Sequence, residues 1–394
     1  MLLLPTYIVW NPNISLCSVG PLVIRWYSLM IILGFLGGRA LVKYIFSKTG
    51  RPLENAEHFS LYVLCGALIG ARLGEVLFYA PGRYLRQPLE AILPVTFTPH
   101  FQFTGYQGLS YHGALLGSMV ATYLYVHYDI LLRGAPWQWQ WRRRAEKRES
   151  FLWLSTPLVF GVLMGFLVRI GNFIGSEIIG TPTHSNYGVL FARQVVERIP
   201  HHTRAISHVQ VRKHTEAAPV CTQGYPPVTI EVTFKRGGFG QEAIQAFLEN
   251  NLKRYLATDP VLTAHIYQPA DQALDYTLHP SAQQAYVACI KTWGIPRHPV
   301  QLYESFSYLL TLLVLFFWWY RKHHTLQDGL IAGTAAIVSY GFRFFCEFFK
   351  APFKVLIAGP HPITMGHLLS LLTVLGGLGL VMYALTRPKP QDGS

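Results

Sequence analysis

Charged and polar side chains interrupt the most apolar stretches of this sequence. The set comprises Arg39, Arg72, Glu75, His112, Arg169, Asn172, Glu177, Tyr303, Glu304, Arg343 and Glu347. Burying such groups at membrane depth is costly, so they usually face the interior of a helix bundle and serve a function. The planar guanidinium of arginine suits phosphate or carboxylate, and imidazole titrates near neutral pH. The set therefore predicts a site that holds a lipid headgroup phosphate beside a titratable group.

Some of these residues also fit purely structural roles. Arg343 and Glu347 are four residues apart and Arg72 and Glu75 three apart, so each pair can neutralise itself along one helix face. A lone interfacial histidine such as His112 is more often satisfied locally than a base. The glycines around it are more typical of close helix packing than of binding. They are Gly108, Gly113 and Gly117.

The elements that must position these side chains are membrane-spanning helices. Hydrophobic residues make up 51% of the 394 residues and charged residues 13%, against about 25% charged in ordinary globular domains. The apolar residues form runs long enough to cross a bilayer. The predicted spans are Leu22–Phe46, Phe59–Tyr79, Leu109–Leu132, Phe151–Ile174, Val300–Tyr320, Gly329–Phe349 and Ile363–Leu385. We therefore predict an all-α polytopic membrane protein with about seven transmembrane helices.

Lysine and arginine in the short loops predict the orientation. They cluster at or just beyond the ends of the first, third, fifth and seventh predicted spans, as Lys43, Lys48 and Arg51; Arg133, Arg142, Arg143, Arg144, Lys147 and Arg148; Arg321 and Lys322; and Arg387 and Lys389. All four clusters lie on one side if there are seven spans, which predicts an outward amino terminus and a cytoplasmic carboxyl terminus. The intramembrane polar groups then converge on the outer half of the bilayer. The net charge of +13 is interpreted as this topology signal and as contact with anionic membrane lipids, with no nucleic acid partner.

A long polar segment separates the fourth and fifth spans. It contains the strand-like run Val228–Phe234, a Gly237-Gly238 turn and the helix-like run Glu242–Leu256, which predict a small outward-facing α+β insertion. The predicted division is 1–191 for spans one to four, 192–295 for the insertion and 296–394 for spans five to seven.

The five cysteines form no CxxC pair, so they do not indicate a metal site. Cys221 and Cys289 share the outward segment, and a disulfide between them is left open. Met1–Gly20 lacks the basic region of a signal peptide, so no cleavable leader is expected.

The motifs around the intramembrane charges resemble the bacterial prolipoprotein diacylglyceryl transferase family. The matching segments are Arg25–Met30, Gly70–Gly74, Leu109–Gly113, Arg169–Ile174 followed by Glu177 and Gly180, Arg297–Glu304, Tyr340–Phe344 with Glu347–Phe349, and Thr364–Ser370. They follow the order of the family and cover about 20–191 and 296 to the end.

The resemblance implies a bacterial inner-membrane enzyme whose active site faces outward. Such enzymes transfer the diacylglyceryl group of phosphatidylglycerol to the lipobox cysteine of prolipoprotein signal peptides, forming a thioether and releasing glycerol phosphate. The nucleophilic thiol belongs to the substrate, and no metal or other cofactor is implied. The implied catalytic residues are His112, Arg169, Tyr340 and Arg343, and the implied substrate-binding residues are Tyr27, Arg72, Asn172, Glu177, Gly180, Glu304 and Glu347.

The chain departs from the family pattern at four positions and in the length of its outward segment. The aspartate that the family usually has near the start of the fourth span is missing around Ser155, and the segment from about Ala192 to Ile295 is longer than expected for the family. Val168 and Ala114 stand where the family usually has glycine, and Gly175 stands where it usually has asparagine. These departures leave open a non-catalytic lipid-binding or scaffold paralogue. A transporter is the other alternative, but the chain shows no internal repeat and its charges cluster toward one face, unlike the midplane sites of transporters.

Overall fold

The computed structural model describes residues 7–19, 22–50, 52–93, 95–97, 101–103, 110–133, 138–143, 161–185, 187–214, 220–235, 240–280, 286–323, 325–327 and 329–386. The chain divides into two compact units. The helical unit comprises Tyr27–Gly171, Glu304–Glu347 and Lys354–Ser394. The sheet unit comprises Met1–Trp26, Asn172–Tyr303 and Phe348–Phe353.

Helices dominate the described chain. They are α1 (Trp26–Lys48), α2 (Leu53–Gly74), α3 (Pro81–Arg86), α4 (Pro88–Ile92), α5 (Tyr111–His127), α6 (Met164–Ile174), α7 (Arg193–His201), α8 (Gln241–Ala246), α9 (Lys253–Thr258), α10 (Val300–Lys322), α11 (Leu330–Glu347) and α12 (Met365–Leu385). A π-helical turn extends α2 through Glu75–Tyr79, and another, Phe247–Leu252, joins α8 to α9.

In the part of the chain that the structure describes, five helices are long and apolar enough to cross a membrane. They are Trp26–Lys48, Leu53–Phe78, Val300–Lys322, Leu330–Glu347 and Met365–Leu385, and a shorter apolar helix covers Gly161–Ile174. Large apolar side chains lie exposed on them, such as Phe306 at 68% and Met382 at 63%. An apolar surface of this kind suits contact with lipid rather than water. The chain is therefore a mostly helical, polytopic membrane protein.

Two predicted spans extend beyond their helices, whereas the helix of the second span begins earlier than predicted, at Leu53 instead of Phe59. Leu22–Arg25, predicted as the start of the first span, is a strand paired with Ser15–Val19, and the helix begins at Trp26. The third span ends at His127, before the predicted boundary at Leu132, because Tyr128–Arg133 pairs as a strand with Gln138–Arg143. In both cases hydropathy extends past the helix, whereas strand pairing gives the backbone its hydrogen-bond partners. The predicted fourth span falls partly on 151–160, outside the described residues.

The backbones of helices α2 and α5 approach each other closely where the helices cross, because glycines of the two helices face each other. A methyl group on Gly117 would lie 2.8 Å from the Cα of Gly70 and would meet the carbonyl oxygen of Gly66. One on Gly74 would lie 2.7 Å from Cβ of Ser110. Small residues four apart let two helix backbones approach this closely. The packing role predicted for Gly113 and Gly117 is confirmed, and Gly108 lies outside the described residues.

The sheet unit is built around a five-stranded sheet. The strands found among the described residues are β1 (Ile8–Trp10), β2 (Ser15–Val19), β3 (Leu22–Arg25), β4 (Val95–Thr96), β5 (Gln102–Phe103), β6 (Tyr128–Arg133), β7 (Gln138–Arg143), β8 (Val189–Phe191), β9 (Ile206–Lys213), β10 (Pro227–Phe234), β11 (Ile266–Tyr267), β12 (Asp275–Pro280), β13 (Tyr286–Gly294), β14 (Val355–Ile357) and β15 (Ile363–Thr364). The sheet runs β11-β13-β10-β9, and β12 also pairs with β13. The central strand β10 is antiparallel to both neighbours, with Ile230 opposite Ile290 and Val211.

One face of this sheet carries the core of the unit. Along β10, buried residues alternate with half-buried ones, and Val228, Ile230 and Val232 are fully buried. They pack in one cluster with Leu248 and Leu252 of the helical segment between β10 and β11. The predicted strand and the predicted helix are therefore both present. Cys221 and Cys289 are free thiols.

Candidate functional site

The centre of the helical unit holds one carboxylate between two arginines. Glu304 Oε2 lies 2.6 Å from Arg169 Nε, and Glu304 Oε1 lies 3.3 Å from Arg343 Nη1. Glu304 is 1% exposed, Arg169 6% and Arg343 8%. Three helices, α6, α10 and α11, therefore each supply one charged side chain to a buried cluster.

Tyr308 is a neighbour of this cluster that was not among the predicted site residues. It lies one helical turn after Glu304 on α10, is 1% exposed and is within electrostatic range of Glu304 and both arginines. The four-residue spacing from Glu304 is the signal that could have identified it. Its hydroxyl adds a neutral polar group to the cluster.

The rings of His112, on α5, and Tyr340, on α11, face each other. Their ring centroids are 6.4 Å apart, with the planes tilted by 49°. His112 lies in the first turn of α5, whose preceding residue Ser110 caps the helix by accepting the N–H of Gly113 at 3.0 Å. Tyr340 is buried on α11, three residues before Arg343. An imidazole and a phenol are thus held near the arginine that contacts Glu304.

Glu347 lies one turn beyond Arg343 and meets the start of α12. Its Oε1 accepts the Thr364 hydroxyl at 2.9 Å, and its carboxylate lies directly against the backbone of Gly366. His367 contacts the same threonine. Thr364 and His367 were recognised only as part of a motif, and the contact of Thr364 with Glu347 joins residues that are 17 apart in sequence.

Arg72 binds the segment that follows its own helix. Its Nε donates to the Ala91 carbonyl at 2.8 Å, and its guanidinium stacks 4.9 Å from the Tyr84 ring centroid. It also contacts the carbonyl of Glu90. These bonds fasten α3 and α4 to the end of α2.

The Glu90 carboxylate, 1% exposed, is the second anchor of that segment. It accepts bonds from the Phe97 N–H at 2.9 Å, the Thr96 hydroxyl at 2.8 Å and Arg83 Nη2 at 2.9 Å. The Phe97 N–H, together with the Thr96 and Arg83 donors, holds the pKa of Glu90 below its ordinary value although burial opposes this.

Tyr27 packs on the backbone of α6. A methyl group on Gly171 would lie 2.9 Å from Cδ2 of Tyr27. Gly171 follows Arg169 by two residues, so Tyr27 lines the helix turn that carries this arginine.

The sheet unit carries the remaining predicted residues. Asn172 Nδ2 donates to Glu177 Oε2 at 3.0 Å, and Gln301 Nε2 donates to the Glu177 carbonyl at 2.6 Å. Ser176 and Ile178, on either side of Glu177, have φ of 53° and 54°. Strained backbone of this kind persists only where its surroundings hold it, and it clusters at functional sites.

Gly180 belongs to a tight backbone crossing in the same unit. A methyl group there would lie 2.8 Å from Cβ of His298 and 2.9 Å from the Phe349 carbonyl oxygen. Arg297 Nη1 donates to the Gly180 carbonyl at 2.8 Å. Glycine is therefore required at this position by packing.

The contacts sort the predicted residues into local groups. In the helical unit, Arg169, Glu304 and Arg343 meet directly, His112 faces Tyr340, and Glu347 binds Thr364. In the sheet unit, Asn172 pairs with Glu177. Two arginines on one buried carboxylate can hold a further anion, and a nearby imidazole can accept a proton.

Comparison with known proteins is consistent with this chemistry. The family model described as prolipoprotein diacylglyceryl transferase matches residues 15–383. A phosphatidylglycerol–prolipoprotein diacylglyceryl transferase of Tolumonas auensis is 26% identical over 374 residues, which cover 95% of this chain and 96% of that protein. Proteins of the same name from Chloroherpeton thalassium and Bacteroides fragilis are each 32% identical, over 50% and 49% of this chain and 63% and 64% of their own lengths. This chain belongs to the prolipoprotein diacylglyceryl transferase family.

Proposed function

We propose that the transfer reaction of this family takes place at the cluster of Arg169, Glu304 and Arg343. In that reaction the diacylglyceryl group of phosphatidylglycerol passes to the lipobox cysteine of a prolipoprotein. The observation that carries the proposal is the single buried carboxylate that contacts two buried guanidiniums.

Two cations that meet at one buried anion favour the approach of a second anion. Removing charges from water is costly unless each is paired and hydrogen-bonded. A lipid phosphodiester supplies both a negative charge and oxygens that match the planar guanidinium. Phosphatidylglycerol offers that group at membrane depth, where these helices lie.

In the proposed step the cysteine thiolate attacks the glycerol methylene carbon of the diacylglyceryl group. A carbon–sulfur bond forms, and the bond between that carbon and the phosphate oxygen breaks. The electron pair remains on the oxygen, so negative charge increases on the departing glycerol phosphate. Arg169 and Arg343 stabilise that charge from fixed positions, and Glu304 holds both guanidiniums in place.

His112 accepts the proton of the thiol in this proposal. The thiolate is the reactive form of cysteine, and imidazole titrates close to neutral pH. Tyr340, whose ring lies 6.4 Å from that of His112, orients the imidazole and the headgroup. The remaining residues assigned to substrate binding are Tyr27, Arg72, Asn172, Glu177, Gly180 and Glu347.

The proposed topology has seven spans, an outward amino terminus and the active site toward the outer face of the bacterial inner membrane. It is supported by the basic residues that cluster in alternate loops. The segment 192–295 is proposed as an outward insertion between the membrane segments 1–191 and 296–394. An outward site gives access to signal peptides after they have crossed the membrane.

A transfer assay with purified protein tests the proposal. The reaction would contain phosphatidylglycerol and a lipobox peptide, and mass spectrometry would measure the diacylglyceryl thioether on the peptide cysteine. We expect Arg169→Ala and Arg343→Ala to lower the rate about 10²–10³-fold, the usual effect of removing one preorganised donor. Arg39→Ala is the matched control, because Arg39 pairs with Glu57 and its side chain is 40% exposed.

Normal transfer by both arginine variants would refute the assigned site. Wild-type protein that binds phosphatidylglycerol without forming product, while another family member is active in parallel, would instead indicate a non-catalytic lipid-binding paralogue.

A further inference from the structure

The carboxylate of Glu347 rests on the first turn of α12. Thr364, the N-cap of that helix, donates its hydroxyl to Glu347 Oε1 at 2.9 Å. The carboxylate also lies against Gly366, where any side chain would collide with it. The amino end of a helix carries partial positive charge and favours an anion there.

His367 completes a capping box at the same turn. The Thr364 side chain accepts the His367 backbone N–H, and the Thr364 backbone N–H donates to His367 Nδ1 at 3.1 Å. Because this N–H can only donate, Nδ1 must act as the acceptor. The imidazole is therefore neutral with its proton on Nε2.

The surroundings of His367 fix this ring in place. The residue is 1% exposed, and Phe344 of α11 meets the ring edge-on at 5.1 Å. Thr364 Oγ1 also lies 3.1 Å from Nδ1. Thr364 thus connects the two groups, because its backbone N–H bonds to the imidazole and its hydroxyl bonds to the carboxylate of Glu347.

We propose that His367 is a positioning residue for the transfer site, which acts on Glu347 through Thr364. The neutral imidazole holds the Thr364 backbone, so the threonine hydroxyl points at Oε1 of Glu347. The carboxylate is then fixed one helical turn from Arg343. This inference rests on the proposed role of Glu347 in substrate binding.

A conservative replacement of His367 can separate its role in capping α12 from any other role of the imidazole. Glutamine at this helix position accepts the N-cap N–H through its amide oxygen, as in the usual capping box. His367→Gln therefore keeps the connection, whereas His367→Leu removes the acceptor and retains an apolar side chain. Thr364→Ser and Thr364→Val form the equivalent pair at the threonine.

The experiment measures binding of phosphatidylglycerol to purified protein, together with the transfer rate. We expect His367→Gln and Thr364→Ser to stay within about twofold of wild type. His367→Leu and Thr364→Val should each weaken binding about tenfold. Thr364→Val removes a hydrogen bond to the charged Glu347 carboxylate, and His367→Leu removes the acceptor that holds Thr364 in place to donate that bond.

A double-mutant cycle with Glu347→Gln shows whether His367 acts through that carboxylate. In the Glu347→Gln background, His367→Leu should change binding by less than about twofold, because the group it positions is already altered. An equal loss in both backgrounds, or a glutamine variant as weak as the leucine variant, would overturn the inference. If the variants show this pattern in binding but the wild-type protein forms no thioether product, the proposed function would be contradicted. The positioning role of His367 would still hold.

Discussion

At Glu304 one carboxylate contacts the guanidiniums of both Arg169 and Arg343. Removing its charge leaves two buried cations without this partner. We expect Glu304→Gln to lower the free energy of unfolding in detergent by roughly 3–5 kcal/mol, as when a buried ion pair loses one member. Unfolding by a denaturing detergent, followed by tryptophan fluorescence, measures this.

Glu57→Gln is the matched control for Glu304→Gln. Glu57 also contacts two cations, Arg39 and Lys43, but all three side chains are 37% to 40% exposed. Little change in stability is expected there. A Glu304 variant as stable as the Glu57 variant would show that the buried cluster is not held by its charge.

His265 in the sheet unit is a buried titratable residue outside the proposed site. Burial, with a smaller effect from the Arg297 charge, lowers its pKa to about 4. The unfolded chain binds a proton to this histidine below about pH 6.5, whereas the folded chain stays neutral down to about pH 4. The sheet unit should therefore lose stability as the pH falls through that window.

We expect His265→Gln to reduce this acid sensitivity, since glutamine does not titrate. The measurement compares the melting temperatures of wild type and variant at pH 7 and pH 4.5. The fall should be smaller in the variant. Equal falls would mean that His265 titrates alike in both states.

Arg343 illustrates which features of the site can be predicted from the sequence and which cannot. Its position within an apolar run marked it as functional, and it lies in the buried cluster. Helical spacing could suggest only Glu347, four residues away, as its partner. Its contact with Glu304 joins residues 39 apart, which depends on how the helices pack and cannot be read from local spacing.

At the scale of elements, the crossing of α2 and α5 fixes where His112 lies. Gly117 leaves no room for a methyl group, because Gly70 Cα would be 2.8 Å away and the Gly66 carbonyl closer still. We expect Gly117→Ala to separate the two helices, lower the melting temperature and reduce transfer, at a cost of about 1–3 kcal/mol in stability.

Gly379→Ala is the control for that substitution. Gly379 is exposed on α12, and nothing lies within 4 Å of a methyl group there. Alanine favours a helix over glycine by about 1 kcal/mol, so this variant should be as stable as wild type or slightly more so. If both alanine variants behaved alike, contact between the helices could not explain an effect at Gly117.

Elements were predicted best where local pattern and packing agree. The run Val228–Phe234 alternates in hydrophobicity, and the strand Pro227–Phe234 buries every second residue. Hydropathy failed at Tyr128–Arg133, which is apolar enough to continue a helix yet pairs with Gln138–Arg143. The partner strand, not the composition of the segment, decides its conformation.

At the scale of the whole molecule, the proposed orientation assigns each loop to one side of the membrane. Basic residues such as Lys322 predict a cytoplasmic loop after α10, while the segment that holds Cys221 is proposed to face outward. Cys221 is partly exposed, so it can report on its compartment. A variant that retains Cys221 alone should react with a membrane-impermeant maleimide in intact spheroplasts.

The opposite face needs its own reporter. Lys322→Cys, in a background without other cysteines, lies at the end of α10 in an exposed position and should react only after lysis. Orientation and function are linked here, because translocated signal peptides reach an outward site directly. If Cys221 were protected until lysis while Lys322→Cys reacted in intact spheroplasts, the chain would be inverted, and the positive-inside bias of its loops would need another explanation.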